Sequence, residues 1–178
     1  MSLAAVKEAL RGDAEWKRYR AIRSSIEESF PLESLNDELS RIQKGRKVRS
    51  VSFKGVSAQR LLDMSMDEVQ HRARLTEILI QAKRESNILS ALIDGMNSYV
   101  LGEYADELRE GFKTQQDRRS AVDRLLSKGY ATLYGIQGVA ETTELLIKDI
   151  DQSSFTLTRV ANLIELTTRR EHVANVSV

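Results

Sequence analysis

Residues 41–60 read RIQKGRKVRSVSFKGVSAQR and hold seven basic side chains, Arg41, Lys44, Arg46, Lys47, Arg49, Lys54 and Arg60, with no acidic one. The chemistry open to such a stretch is electrostatic. Guanidinium and ammonium groups neutralise phosphates and release their condensed counterions. The whole chain of 178 residues carries a formal charge of +1, so everything outside this stretch sums to −6. A concentrated cationic patch on a near-neutral protein points to a polyanionic partner. Phe53 stands among Lys47, Arg49 and Lys54, where its ring can stack on an unpaired base. Single-stranded nucleic acid is the leading partner, with Arg46, Lys47, Arg49, Phe53 and Lys54 as candidate ligands. Two other readings stay open. Lysine also protects the edge of a sheet from pairing, and a cationic arm can dock on acidic protein or a membrane surface.

Other groupings that could do chemistry are incomplete. Glu68 and His71 match one half of the Glu-x-x-His arrangement of di-iron bundles, which requires a second such pair and two further glutamates. His172 has Arg169 three residues before it, so the second pair is missing. Arg118, Arg119 and Arg124 are interleaved with Asp117 and Asp123, which reads as a solvated helix face. No zinc-protease helix, nucleophile elbow, phosphate-binding glycine loop or dinucleotide fingerprint is present. There is no cysteine, which removes disulfides and thiol-based metal sites. Nothing here points to an enzyme, a metal or a cofactor.

The elements that position the basic stretch read almost entirely as helix. The single proline, Pro31, leaves few breakers in a long chain. Asp13 can cap a helix carrying Trp16, Tyr19, Ile22, Ile26 and Phe30. Ser34 can cap a short one with Leu35, Leu39 and Ile42 on one face, closed by Gly45. Val51 and Phe53 alternate with Ser50, Ser52 and Lys54, a short strand or extended arm. Ser57 opens a short helix, and Ser65 with Glu68 fits a capping box for a long one.

From there Leu75, Leu79, Ala82, Ser86, Leu89, Ile93, Met96 and Val100 repeat at a 4-3-4-3-4-3-4 spacing, a heptad seam that must be buried against another helix, in the same chain or in a second subunit. Ile78, Ile80, Ile88 and Leu92 widen that stripe, so burial on more than one side is expected. Gly102 interrupts this helix, and a polar helix follows over 103–128 with Gly129 as its cap. A further helix covers 130–150, a turn falls at 151–154, and a last helix carries Phe155, Val160, Leu163, Ile164 and Leu166.

The second half of the chain resembles the phage recombination mediator family typified by UvsY. SYVLGEYADEL at 98–108 is similar to that family's junction of two aromatics and a glycine after a long helix. LLIKDIDQSSFTLTRVANLIEL at 145–166 is similar to its C-terminal helix–turn–helix. The resemblance spans roughly residues 66 to 168. It implies an all-α, ring-like oligomer that binds single-stranded DNA, helps displace the single-strand-binding protein and loads a RecA-type recombinase. One departure is plain. The family carries basic residues just before the glycine junction, whereas ALIDGMNSY at 91–99 has no Lys or Arg. DNA contacts are not transferable to those positions, and the basic stretch would have to supply them.

The sequence therefore predicts an all-α protein with a long central helix bearing a heptad seam, a C-terminal helical hairpin, and a short extended basic segment near 46–56. Its expected blocks are a helical region over 1–44, the basic segment over 45–57, a helical core over 58–172 and a frayed tail over 173–178. The seam residues Leu75, Leu79, Leu89, Ile93 and Met96 are the expected interface of a homo-oligomer. The expected function is a non-enzymatic accessory protein for single-stranded nucleic acid, with a recombination mediator as its narrower form. The alternative is a scaffolding or virion component whose basic arm docks on acidic protein. The N-terminus lacks the apolar run of a signal peptide, and no stretch approaches the ~20 apolar residues of a membrane helix, so a soluble cytoplasmic protein is expected.

Overall fold

Local capping signals at Asp13, Ser57 and Thr114 set the starts of the helices that follow them. The computed structural model describes residues 3–46, 48 and 55–176, and all the regular structure among them is helical. In chain order the helices are α1 (Leu3–Gly12), α2 (Ala14–Ser29), α3 (Leu32–Gly45), α4 (Ala58–Glu103), α5 (Ala105–Gly111), α6 (Gln115–Leu125) and α7 (Ser127–Val176). Asp13 caps α2 as its spacing predicts, accepting from the Trp16 amide at 2.8 Å. Pro31 separates α2 from α3, and the Phe30 amide closes α2 onto the Ile26 carbonyl at 2.8 Å.

The all-α class and the long central helix stand. Several boundaries do not. α4 starts at Ala58, with the Ser57 hydroxyl accepting from the Arg60 amide at 3.3 Å, so Ser65 and Glu68 are interior residues and not a cap. Gly102 lies inside α4, and the break comes at Tyr104. The helix expected over 103–128 is two helices. Thr114 caps α6, accepting from the Asp117 amide at 3.0 Å and donating to its carboxylate at 2.7 Å. α7 runs unbroken through the turn expected at 151–154 and on to Val176. The hydroxyls there do not cap a new helix. Ser153, Thr156 and Thr158 donate to the carbonyls four residues back, at 2.8, 3.1 and 3.0 Å, a bonding mode that leaves a helix intact.

The chain forms two compact units, and neither is a continuous block of sequence. The first comprises residues 1–35 and 80–140, and the second residues 36–79 and 141–178. The division thus runs across the expected blocks 1–44 and 58–172. Both α4 and α7 contribute residues to each unit.

In the first unit α1 packs on α2 and α5, and the core holds Leu10, Tyr19, Phe30, Leu89, Ile93 and Leu126. Asp13 has a second task there. Its other carboxylate oxygen accepts from the hydroxyls of Tyr99 at 2.7 Å and Tyr104 at 3.0 Å, which ties the start of α2 to the end of α4. Gly129 is not a cap. It lies in the first turns of α7, where a Cβ would collide with the Tyr19 hydroxyl and press on Ile93.

In the second unit the buried faces of α3, α4 and α7 supply Leu39, Ile42, Leu61, Met64, Ile150 and Leu157. Two exposed salt bridges cross it on the outside, Arg74 to Glu38 and Arg72 to Asp151, each at 2.7 Å. Hydrogen bonding to Arg74 is the main reason that the Glu38 carboxyl is held below its ordinary pKa, with burial opposing.

Most of the heptad seam is not an interface with another subunit. Leu75, Leu89, Ile93 and Met96 are 0, 0, 1 and 5 % exposed within this single chain, and Leu79 is half-buried. The expectation that the seam is a subunit interface fails there because the chain's own packing already covers it.

Candidate nucleic-acid interface

The basic stretch starts where α3 ends, and its first cationic residue after that helix faces inward. Leu35, Leu39 and Ile42 bury one face of α3, and Gly45 ends the helix. Arg46 follows at 3 % exposure. Its guanidinium forms a two-point pair with Glu68 of α4, from Nη2 to Oε2 at 2.7 Å and from Nε to Oε1 at 3.0 Å. It also donates to the Asp149 carboxylate and to the Ser153 hydroxyl on α7, the latter at 2.8 Å. The Arg46 and Glu68 side chains are 0 and 1 % exposed. Burial works against the charged guanidinium, but the hydrogen bonds and charges of Glu68 and Asp149 outweigh it, so the Arg46 pKa is raised. One arginine thus joins α3, α4 and α7 of the second unit.

This corrects the reading of Arg46 as a phosphate ligand. Its donors are spent on two carboxylates and a hydroxyl, and no face is left for solvent. Glu68, expected in a capping box, is instead the buried counter-ion of Arg46. Sequence reasoning missed the pair because its members are 22 residues apart, and a cation within a basic run looks like the rest of the run. One signal was available: Glu68 falls close to the inner face that Leu61, Met64 and Leu75 define on α4.

Lys47, Arg49, Phe53 and Lys54 lie outside the described residues, as does most of the extended segment expected near 46–56. Val48 and Val56 both pack on the cluster of Leu61, Met64 and Leu157. Val48 and Val56 thus meet at the same apolar cluster. Arg41, Lys44 and Arg60, towards the two ends of the stretch, are exposed, and their side chains take part in no ion pair among the described residues. On α7 of the same unit Phe155 is 62 % exposed, and the Arg159 guanidinium stands 4.8 Å from its ring centroid. That pair brings together an exposed ring and a cation, the two kinds of group on which a base stacks.

Beside the same cluster lies a groove of about 590 Å³ bordered by Ala58, Leu61 and Leu62 of α4 and Leu157, Ala161 and Ile164 of α7. Its walls are mostly apolar, with Ser65, Thr158 and Glu165 as the polar members of the lining. Among the described residues no group of three or more His, Asp or Glu side chains could hold a metal ion, and no helix is long and apolar enough to cross a membrane.

No family model, curated protein or solved structure matches this chain.

Proposed function

We propose that this chain is a non-enzymatic accessory protein that binds single-stranded nucleic acid through the basic stretch after α3. The observation that carries the reading is the acid-free run of cations at 41–60. Arg46 acts as its anchor and is not a ligand. Lys47, Arg49 and Lys54 supply phosphate contacts, and Arg41, Lys44 and Arg60 extend the positive field. Phe53 provides a stacking ring, and Phe155 with Arg159 supports a second. The narrower form is a cytoplasmic recombination mediator that helps load a recombinase, with that recombinase or a single-strand-binding protein as partner. It rests on the likeness of residues 98–108 to the mediator family; residues 145–166, which that likeness would make a helix–turn–helix, are one unbroken stretch of α7 and lend it no support.

Fluorescence anisotropy with a labelled single-stranded oligonucleotide tests the proposal. Binding in low salt should weaken linearly on a log–log plot as salt rises. Replacing Lys47, Arg49 and Lys54 with Ala should flatten that slope by about two, at ~0.7 per phosphate on a single strand. Absence of binding in low salt removes the proposal.

A second reading, a helical scaffold whose basic arm docks on acidic protein, is favoured by the exposed Leu163 and Leu166 of α7. It expects an acidic polypeptide to bind where an oligonucleotide does not.

A further inference from the structure

α4 carries two apolar rows on opposite sides. In the second unit its buried row is Leu61, Met64, Leu75 and Ile78, with Glu68 among them. Leu62, Met66, Val69 and Ala73 are exposed, the first three at 53, 54 and 63 %. They repeat at a 4-3-4 spacing, and Thr76 continues the row. At about 100° per residue the two rows point to opposite faces of the helix. The inner row is filled by the chain's own core. The outer row is a contiguous apolar strip facing solvent, with the heptad spacing of a two-stranded seam.

We propose that this outer row is an interface with a second copy of the chain, the two α4 helices running parallel about a twofold axis. The flanking residues argue for the copy and for its direction. With Met66 and Ala73 as a and Leu62, Val69 and Thr76 as d, Ser65 and Arg72 occupy g, and Asp63, Gln70 and Glu77 occupy e. In a parallel pair g of one helix meets e of the other, which sets Arg72 against Glu77 and Ser65 against Gln70. Twofold symmetry makes each contact occur twice. An antiparallel pair centred on Gln70 would set Asp63 against Glu77, two like charges. Arg72 and Glu77 are 50 and 69 % exposed. Their present partners, Asp151 and Arg74, form exposed ion pairs that exchange at little cost. The interface does not depend on the nucleic-acid reading, because it uses none of the residues of the basic stretch.

Sedimentation equilibrium on the full chain tests it. The wild type should be a concentration-dependent dimer, and Met66→Glu with Val69→Glu a monomer with unchanged helicity by circular dichroism. Arg72→Glu and Glu77→Arg should each weaken the dimer several-fold, and the two together in one chain should restore it. The chain has no cysteine, so Val69→Cys gives a clean readout of direction. Adjacent d positions of a parallel seam should oxidise to a linked dimer on a non-reducing gel. A monomer at every concentration overturns the proposal, as does a dimer that survives Met66→Glu with Val69→Glu. A Val69→Cys dimer that does not cross-link overturns the parallel arrangement.

Discussion

The Arg46 guanidinium and the Glu68 carboxylate form a two-point ion pair closed off from solvent, with Nη2 to Oε2 at 2.7 Å and both side chains at most 1 % exposed. The pair lies at the base of the most cationic stretch of the chain. Its role follows from electrostatics: a charge this deep in the protein is tolerated only because every donor has an acceptor.

Removing either partner should therefore cost far more than losing a surface pair. Arg46→Ala leaves Glu68 buried without a counter-ion, and Glu68→Ala does the converse for Arg46. Each should lower stability by about 3–5 kcal/mol, read from urea midpoints. Arg46→Lys should recover little, since a single ammonium cannot reproduce the fork that reaches Glu68, Asp149 and Ser153 at once. A fully stable Arg46→Ala variant would contradict this account.

Asp13 and Tyr99 make stability depend on pH at both ends. Asp13 has a lowered pKa, first through the Trp16 amide and then, against burial, through the Tyr99 and Tyr104 hydroxyls. Its contribution is present above its unfolded pKa of about 3.9 and is lost as pH falls through the lower folded value. Tyr99 is pushed from 10.0 to about 12, chiefly by its hydrogen bond to Asp13. Its contribution is present below pH 10 and is lost as pH rises through about 12. Thermal melts should show both losses, and Tyr99→Phe should reduce the alkaline one. Asp13→Ala should also remove the α2 cap, at a cost of ~1 kcal/mol.

Gly129→Ala gives two opposed effects. Alanine is the better helix former by ~1 kcal/mol. The added methyl, however, meets the buried Tyr19 hydroxyl and Ile93. Overpacking of this kind costs about 1–3 kcal/mol, so net destabilisation is expected. The Tyr19 hydroxyl approaches Arg23 without forming a well-aligned hydrogen bond. Tyr19→Phe should therefore be nearly neutral alone and should relieve the Gly129→Ala variant, as measured by melting temperature.

Phe155 and the lysines should separate in a binding assay. Loss of a stacked ring is worth about 1–3 kcal/mol per base. Phe155→Ala should weaken oligonucleotide binding by that amount with the salt slope unchanged, because no phosphate contact is lost. Lys54→Ala should instead lower the slope by about 0.7. If Phe155→Ala binds as the wild type does, the ring is not part of the interface.

The sequence by itself determined the helical class, because one proline and long runs of apolar residues at threes and fours admit little else. It also determined the α2 start at Asp13 and the long central helix, which rest on local capping and period. It misplaced the turn at 151–154, because the hydroxyls of Ser153, Thr156 and Thr158 serve equally well to cap a helix or to bond back along one. Tertiary structure alone decided which apolar row of α4 is inside. Leu61 and Leu62 are neighbours of the same type, and only packing buries the first and exposes the second. It alone decided, too, that Arg46 is an anchor. Composition counts charges, but a charge in the interior is set by partners 22 and 103 residues away, and no local pattern records them.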